Sequence, residues 1–126
     1  MMSIDILLAK VKEYNENEIE KVKKAYEFAE RLHKGQTRQS GEPYIVHPLN
    51  VAYILAEMHA DADTLCAGLL HDTLEDTDTT KEEIANLFNP EVAKLVDGAT
   101  KIRRMNFSSK SAQNYANTRK IITSLT

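Results

Sequence analysis

Five titratable side chains in two parts of the chain could share one catalytic centre. His47 stands alone before a predicted helix, whereas His71 and Asp72 are adjacent, and Glu75 and Asp76 follow them. Because residues three or four apart share one side of a helix, the last four groups are predicted to line one helix end. Imidazole nitrogens and carboxylate oxygens together suit divalent ions such as Mn²⁺, Zn²⁺ or Fe²⁺. A bound cation would also let several carboxylates crowd an apolar helix.

The same residues have a purely structural interpretation. The three carboxylates can form the polar end of an amphipathic helix, in which His71 is an ordinary hydrogen-bonded histidine. An isolated His-Asp pair is a short and common pattern, so the pair alone favours this structural interpretation. The sequence around the pair is needed to distinguish the metal-centre interpretation from the structural one.

Helical periodicity predicts the elements that must position these groups. Apolar residues recur at helical spacing through most of the chain, and strand signals are nearly absent. Capping-box spacing occurs at Asn15 with Glu18 and at Thr80 with Glu83. We predict six or seven helices. They are Ser3 to Glu13, a second from the Asn15 and Glu18 capping box to just before Gly35, a third opened by Pro48 and including Met58, Asp61 or Asp63 through Asp76, Thr80 to about Asn89, one opened by Pro90 and including Ala99, and, after a break at residues 105–110, one from Ser111 onward.

The segment before the third helix is the main interruption of this pattern. It contains Gly41, Pro43 and Pro48 with polar residues between them, which predicts a structured loop or small hairpin. His47 is expected at the end of this loop, just before Pro48 opens the third helix.

Length and composition bound the class of protein. The 126 residues carry 16 Lys plus Arg against 19 Asp plus Glu, for a net charge of −3. This predicts one compact domain without a broad basic surface, so nucleic-acid binding is not expected and a polyanionic ligand must meet a local cluster of Lys and Arg. Cys66 is the single cysteine, and no apolar run approaches the roughly 20 residues of a membrane helix. A soluble, cytoplasmic protein is therefore expected.

Two longer motifs favour the metal-centre interpretation. Residues 38–48 read RQSGEPYIVHP, and residues 67–77 read AGLLHDTLEDT. Both resemble the N-terminal hydrolase domain of the RelA/SpoT-homologue family, which is part of the HD superfamily of metal-dependent phosphohydrolases. The similarity continues from about Ala25 to Lys120. The resemblance implies an all-α HD-domain bundle that occupies residues 1–126 as a single domain.

The implied activity is removal of the 3′-pyrophosphate from the alarmones ppGpp and pppGpp, a reaction of the stringent response. By resemblance, His47, His71 and Asp72 match ligands of a Mn²⁺ ion, for which another divalent metal could substitute. Glu75 and Asp76 match the acidic pair of the HDxxED motif, and we expect them to orient or deprotonate water. The division of work between them stays open. A synthetase domain elsewhere would make the whole protein a GTP pyrophosphokinase.

Two cations complete the predicted substrate site. Arg38 matches a nucleotide-contacting position, and its planar guanidinium could stack on guanine or bind a phosphate through two hydrogen bonds. Lys101 lies in a matched segment and could meet the extra phosphates. Each has a simpler interpretation, as a solvated loop arginine and as a cation favoured by a helix C-terminus. His33 and His59 are expected to be structural or surface residues.

The resemblance also implies one more aspartate ligand, from a helix that would follow Thr126, and Asp97 does not match it. We therefore expect an N-terminal fragment that holds metal weakly and lacks its last helices. Such a fragment would expose Ile121, Ile122 and Leu125 and favour a homo-oligomer. Two alternatives stay open: a non-catalytic regulatory helical module, and an HD-family nucleotide phosphohydrolase with another substrate.

Overall fold

A computed structural model describes residues 2–104 of the chain, with side chains described as far as Thr100. This part contains seven α-helices and one 3₁₀ turn (Glu16–Glu18). The helices are α1 (Ile4–Lys12), α2 (Ile19–Leu32), α3 (Val46–Glu57), α4 (Ala62–Leu70), α5 (Thr73–Asp76), α6 (Lys81–Leu87) and α7 (Pro90–Arg104). Within these residues the only extended pairing is an isolated bridge between Thr37 and Pro43. The prediction of an all-α fold is confirmed.

Helix α4 lies at the centre of the core and packs against α2, α3 and α7. Leu65, Leu69 and Leu70 are fully buried, as expected for a helix that is apolar on all sides. Gly68 lets α3 approach closely, because a Cβ atom at this position would lie 2.8 Å from Cδ1 of Leu55. The close packing of α3 on α4 brings together the two segments that carry His47 and His71.

Side-chain caps begin three of the seven described helices as the sequence predicts. Ser3 accepts a hydrogen bond from the Ile6 N–H, Asp61 from the Thr64 N–H, and Thr80 from the Glu83 N–H. The predicted capping box at Asn15 and Glu18 is wrong, because the Asn15 side chain makes no capping bond. The Glu18 N–H instead donates to the Asn15 carbonyl oxygen in a 3₁₀ turn, so this donor needs no side-chain acceptor.

Two boundaries near the predicted site differ from the sequence prediction. Helix α3 begins at Val46, so His47 lies in its first turn and not in the preceding loop. Helix α4 ends at Leu70, and Thr73–Asp76 forms a separate turn, α5. The Thr73 hydroxyl donates to the Leu70 carbonyl oxygen at 2.8 Å, a side-chain bond that competes with continuation of the helix.

A polar network ties together three helices away from this region. Lys21 on α2 forms an ion pair with Asp63 on α4, and Asn89 donates to the same carboxylate at 2.9 Å. Asn89 also caps α7 by accepting from the Val92 N–H at 2.8 Å. The hydrogen bond raises the pKa of Lys21, and the bonds from Lys21 and Asn89 lower the pKa of Asp63.

Several predictions concern the C-terminal part of the chain. The predicted break at residues 105–110, the helix from Ser111, and the exposed residues Ile121, Ile122 and Leu125 lie outside the described residues. Among the described helices, none combines the length and the apolar character needed to cross a membrane.

Candidate metal centre

His47, His71 and Asp72 converge on one buried point. His47 lies in the first turn of α3, His71 is the C-cap of α4, and Asp72 is the N-cap of α5. One nitrogen or oxygen atom from each residue lies within 4.8 Å of the other two. The residues are only 7%, 3% and 3% exposed, respectively. The start of α3 and the end of α4 thus bring together three potential ligands from two distant parts of the sequence.

The orientation of His71 is fixed by its own helix. Its Nδ1 lies 2.6 Å from the Gly68 carbonyl oxygen, which can only accept, so Nδ1 carries the proton. In the neutral imidazole, Nε2 then has a free lone pair and lies 3.0 Å from Oδ2 of Asp72. Within the described part of the chain, no hydrogen bond reaches this buried Nε2. Two electron-pair donors facing each other in a buried place fit a cation between them.

His47 completes the donor set from the opposite helix. Its Nε2 lies 3.5 Å from the same Oδ2 of Asp72, and its ring centroid is 5.2 Å from that of His71. Two imidazole nitrogens and one carboxylate oxygen form a donor set that suits borderline divalent ions. The residues present therefore fit a divalent metal.

Tyr44 touches this cluster from the turn before α3. Its hydroxyl donates to Asp72 and lies 3.2 Å from Oδ2 of Asp76, and its ring packs on the rings of His33 and His47. Burial and the bond to Asp72 raise the pKa of Tyr44. Tyr44 belongs to the first sequence motif, but the sequence interpretation gave it no role. Its position three residues before His47, in the same motif, is the sequence signal that could have indicated a role at the site.

The acidic pair occupies the turn that follows Asp72 directly. The Asp76 N–H donates to the Asp72 carbonyl oxygen at 2.9 Å, so these two residues are one turn apart as predicted. Glu75 is half-buried, with its Oε1 inaccessible to solvent, whereas Asp76 is exposed. One carboxylate of the pair therefore faces the protein interior and the other faces solvent.

A cleft of about 670 Å³ opens beside the cluster and has Arg38, Tyr44 and His47 in its lining. The segment before α3 is a small hairpin, as predicted: the Arg38 N–H donates to the Glu42 carbonyl oxygen, and the Gly41 N–H donates back to Arg38. Gly41 has φ +90°, a conformation that favours glycine. Exposed Arg38 thus shares a cleft with a candidate metal ligand.

The two histidines that were expected to be structural or surface residues lie outside the three-residue cluster. His59 is exposed and stacks on the Tyr14 ring at 4.6 Å, whereas buried His33 contacts Tyr44 without joining the three-residue cluster. The backbone of Lys101 belongs to α7, but its side chain lies outside the described side chains. Lys101 is therefore still a prediction from the sequence.

A bundle of helices with a buried His-His-Asp cluster where α3 begins and α4 ends is typical of an HD domain. The HD-domain family model matches residues 25–126, and the chain belongs to this family of metal-dependent proteins. The three-residue cluster provides a place where such an ion could bind.

The more specific resemblance is also confirmed. The guanosine-3′,5′-bis(diphosphate) 3′-pyrophosphohydrolase of Aquifex aeolicus is 51% identical over 114 residues, which are 90% of this chain and 16% of the relative. The protein of that name from Vibrio cholerae is 46% identical over 97% of this chain and 17% of its own length. GTP pyrophosphokinase rsh of Brucella melitensis is 50% identical over 79% of this chain and 13% of its own length. The chain spans less than a fifth of each of these relatives.

Proposed function

We propose that this domain hydrolyses the 3′-pyrophosphate of ppGpp and pppGpp, giving GDP or GTP and pyrophosphate. The observation that carries this proposal is the buried convergence of His47, His71 and Asp72 beside a cleft that also contains Arg38. The names of the relatives support the choice of an alarmone as substrate.

The three clustered residues would hold a divalent ion, which we propose to be Mn²⁺. When bound, such an ion supplies positive charge that polarises a phosphate and activates water. The protein's own contribution is to orient the His71 imidazole through the bond from Nδ1 to Gly68, so that Nε2 is the nitrogen directed towards Asp72. Burial of the cluster keeps bulk water from competing for the ligand atoms.

The acidic pair, Glu75 and Asp76, would act on the proton of the attacking water. Glu75 is our choice for the group that accepts a proton from the attacking water, because it is the half-buried member of the pair. Asp76 would hold the water network at the solvent side. The water oxygen bonds to phosphorus, the bond from phosphorus to the ribose 3′-oxygen breaks, and a proton goes to that oxygen.

Arg38 would recognise the nucleotide from the hairpin. Its guanidinium can stack on the guanine ring or bind a phosphate through two parallel hydrogen bonds. Lys101 is proposed to meet the additional phosphates. In a chain of net charge −3, local cations of this kind are needed to hold a polyanionic ligand.

The proposal is tested by incubating the intact protein with ppGpp and Mn²⁺ and measuring GDP and pyrophosphate. We expect one pyrophosphate for each GDP, and no turnover after chelation of the metal. Absence of hydrolysis with saturating Mn²⁺ would favour the regulatory module. Equal cleavage of ordinary nucleoside monophosphates would favour another HD-family phosphohydrolase.

Location and assembly belong to the same proposal. Cys66 is buried and unpaired, which fits a reducing compartment such as the cytoplasm. A homo-oligomer is also proposed, and its mass in solution can be measured by light scattering. If a whole protein has GTP pyrophosphokinase activity, we attribute that activity to residues other than 2–104.

A further inference from the structure

Tyr44 connects the hairpin to the acidic turn. Its backbone N–H donates to the Gln36 carbonyl oxygen at 2.9 Å and closes the hairpin, and its carbonyl oxygen accepts from the His47 N–H at 3.0 Å. Its hydroxyl crosses to the other side of the site, where it donates to Asp72 and lies 3.2 Å from the Asp76 carboxylate. One residue therefore links the hairpin, the first turn of α3 and the acidic turn.

The ring of Tyr44 is held on two sides. The His33 ring lies 4.6 Å away, and the His47 ring approaches edge-on at 5.7 Å. His33 is itself buried, and its Nδ1 lies 3.1 Å from Oε1 of Gln36. With its backbone and its ring both fixed, the tyrosine holds its hydroxyl in one direction.

We propose that Tyr44 is a positioning residue whose hydroxyl fixes the Asp72 carboxylate towards His47 and His71 and holds the Asp76 carboxylate at the edge of the same site. This inference rests on the proposed function, and it adds a residue to which the sequence interpretation gave no role. A phenol has a single proton, which two carboxylates can share. Its removal would take this one contact away from both carboxylates at once.

The direction of the Asp72 carboxylate matters for both imidazoles. The same Oδ2 faces the two imidazoles at 3.0 and 3.5 Å, so a rotation of the carboxylate would change both distances. Outer partners that orient metal ligands typically change metal affinity by about 10- to 100-fold. The Tyr44 hydroxyl is the described group that could have this effect on Asp72 from the hairpin side.

The decisive variant is Tyr44→Phe, which keeps the ring and both backbone bonds and removes only the hydroxyl. We expect Mn²⁺ alone, titrated calorimetrically into the intact protein, to bind about 10-fold more weakly than in the wild type. At saturating Mn²⁺, kcat for ppGpp is expected to fall while KM changes little, because the hairpin bonds remain. The melting temperature of the metal-free protein should fall only modestly, because one hydrogen bond to a buried carboxylate is lost while the ring stays in place.

Tyr26→Phe is the matched control, because the Tyr26 hydroxyl also donates to a carboxylate, that of Glu30 on the same helix. This control should leave Mn²⁺ affinity unchanged. A second test combines Tyr44→Phe with Asp76→Asn. If the hydroxyl acts on kcat through Asp76, the double variant should lose less than the product of the two single losses.

The outcomes separate this inference from the proposed function. Equal Mn²⁺ affinity and equal kcat in the wild type and Tyr44→Phe would overturn the positioning role and leave alarmone hydrolysis intact. A lower melting temperature with unchanged Mn²⁺ affinity would also overturn it, since the role would then be structural. A wild-type protein that neither binds Mn²⁺ nor hydrolyses ppGpp would overturn both.

Discussion

Nδ1 of His71 lies 2.6 Å from the carbonyl oxygen of Gly68, one turn earlier in the chain. This bond sets the tautomer of the imidazole and leaves Nε2 free to bind a cation beside Asp72. The orientation of a proposed ligand is therefore determined by the last turn of the central helix, before any ion binds.

Replacement of this imidazole is the most direct test of the proposed ligands. In His71→Ala we expect loss of Mn²⁺ binding and of ppGpp hydrolysis, by more than the roughly 10- to 100-fold typical of outer partners. The measurement is steady-state kinetics together with far-ultraviolet circular dichroism, which should show the helices retained.

His59→Ala is the control for this substitution, because His59 is exposed and stacks only on Tyr14 among the described rings. It should keep full activity. Intact turnover in His71→Ala would refute the ligand assignment.

Metal binding should also stabilise the fold. An ion that binds only the folded state contributes about 2.7 kcal/mol at a concentration of about 100 times its Kd. We therefore expect Mn²⁺ to raise the melting temperature of the wild type and chelation to reverse the rise, as measured by differential scanning fluorimetry. In His47→Ala the rise should disappear. The same rise in that variant would mean that the ion binds elsewhere.

The ion pair between Lys21 and Asp63 should make stability depend on pH. The folded-state pKa of Asp63 is lowered, so its contribution is fully present above the unfolded value of about 3.9 and is lost as the pH falls through the folded-state pKa. The pKa of Lys21 is raised, so its contribution is present below about 10.4 and is lost as the pH rises through its folded-state pKa.

Asp63→Asn should accordingly lower the free energy of unfolding by about 1 kcal/mol at pH 7, because both partners are about one third exposed and solvent screens the pair. Urea unfolding at pH 7 and near pH 2 measures this difference, which should shrink at the lower pH. Glu13→Gln breaks the more exposed pair with Lys10 and should have a smaller effect. A difference for Asp63→Asn that does not depend on pH would contradict the ionic origin.

Replacement of Arg38 should weaken substrate binding and leave metal binding unchanged. In Arg38→Ala we expect KM for ppGpp to rise about 10-fold, the loss of roughly one charge-assisted hydrogen bond, while Mn²⁺ affinity stays at the wild-type value. Arg31→Ala provides a control, because Arg31 is an exposed arginine that packs over the Phe28 ring. An unchanged KM in Arg38→Ala would leave Arg38 as a solvated hairpin residue.

Sequence patterns predicted those features that depend on local physics. Ser3, Asp61 and Thr80 cap helices as expected, because a side-chain oxygen near a free backbone N–H acts over a few residues. The motif residues His47, His71 and Asp72 also came from the sequence. Their convergence in space depends on the packing of α3 on α4, which periodicity alone does not specify.

The errors have equally specific causes. The helix break after Leu70 is accompanied by a hydroxyl bond from Thr73 to the Leu70 carbonyl oxygen, and a threonine within an apolar helix gives little warning of it. The contact of Tyr44 with Asp72 spans 28 residues and follows from how the hairpin folds over α5. Long-range contacts of single side chains are decided by tertiary packing, so a single sequence does not reveal them.

The interruption between α4 and α5 brings the side chains of two sequence neighbours together as two proposed metal ligands. Adjacent side chains on a continuous helix diverge by about 100°, yet Nε2 of His71 and Oδ2 of Asp72 lie 3.0 Å apart. Once one of these atoms captures a cation, the other is already at a high effective concentration beside it. This dipeptide would therefore supply two of the three proposed ligands in a fixed arrangement, and His47 would supply the third from the facing helix.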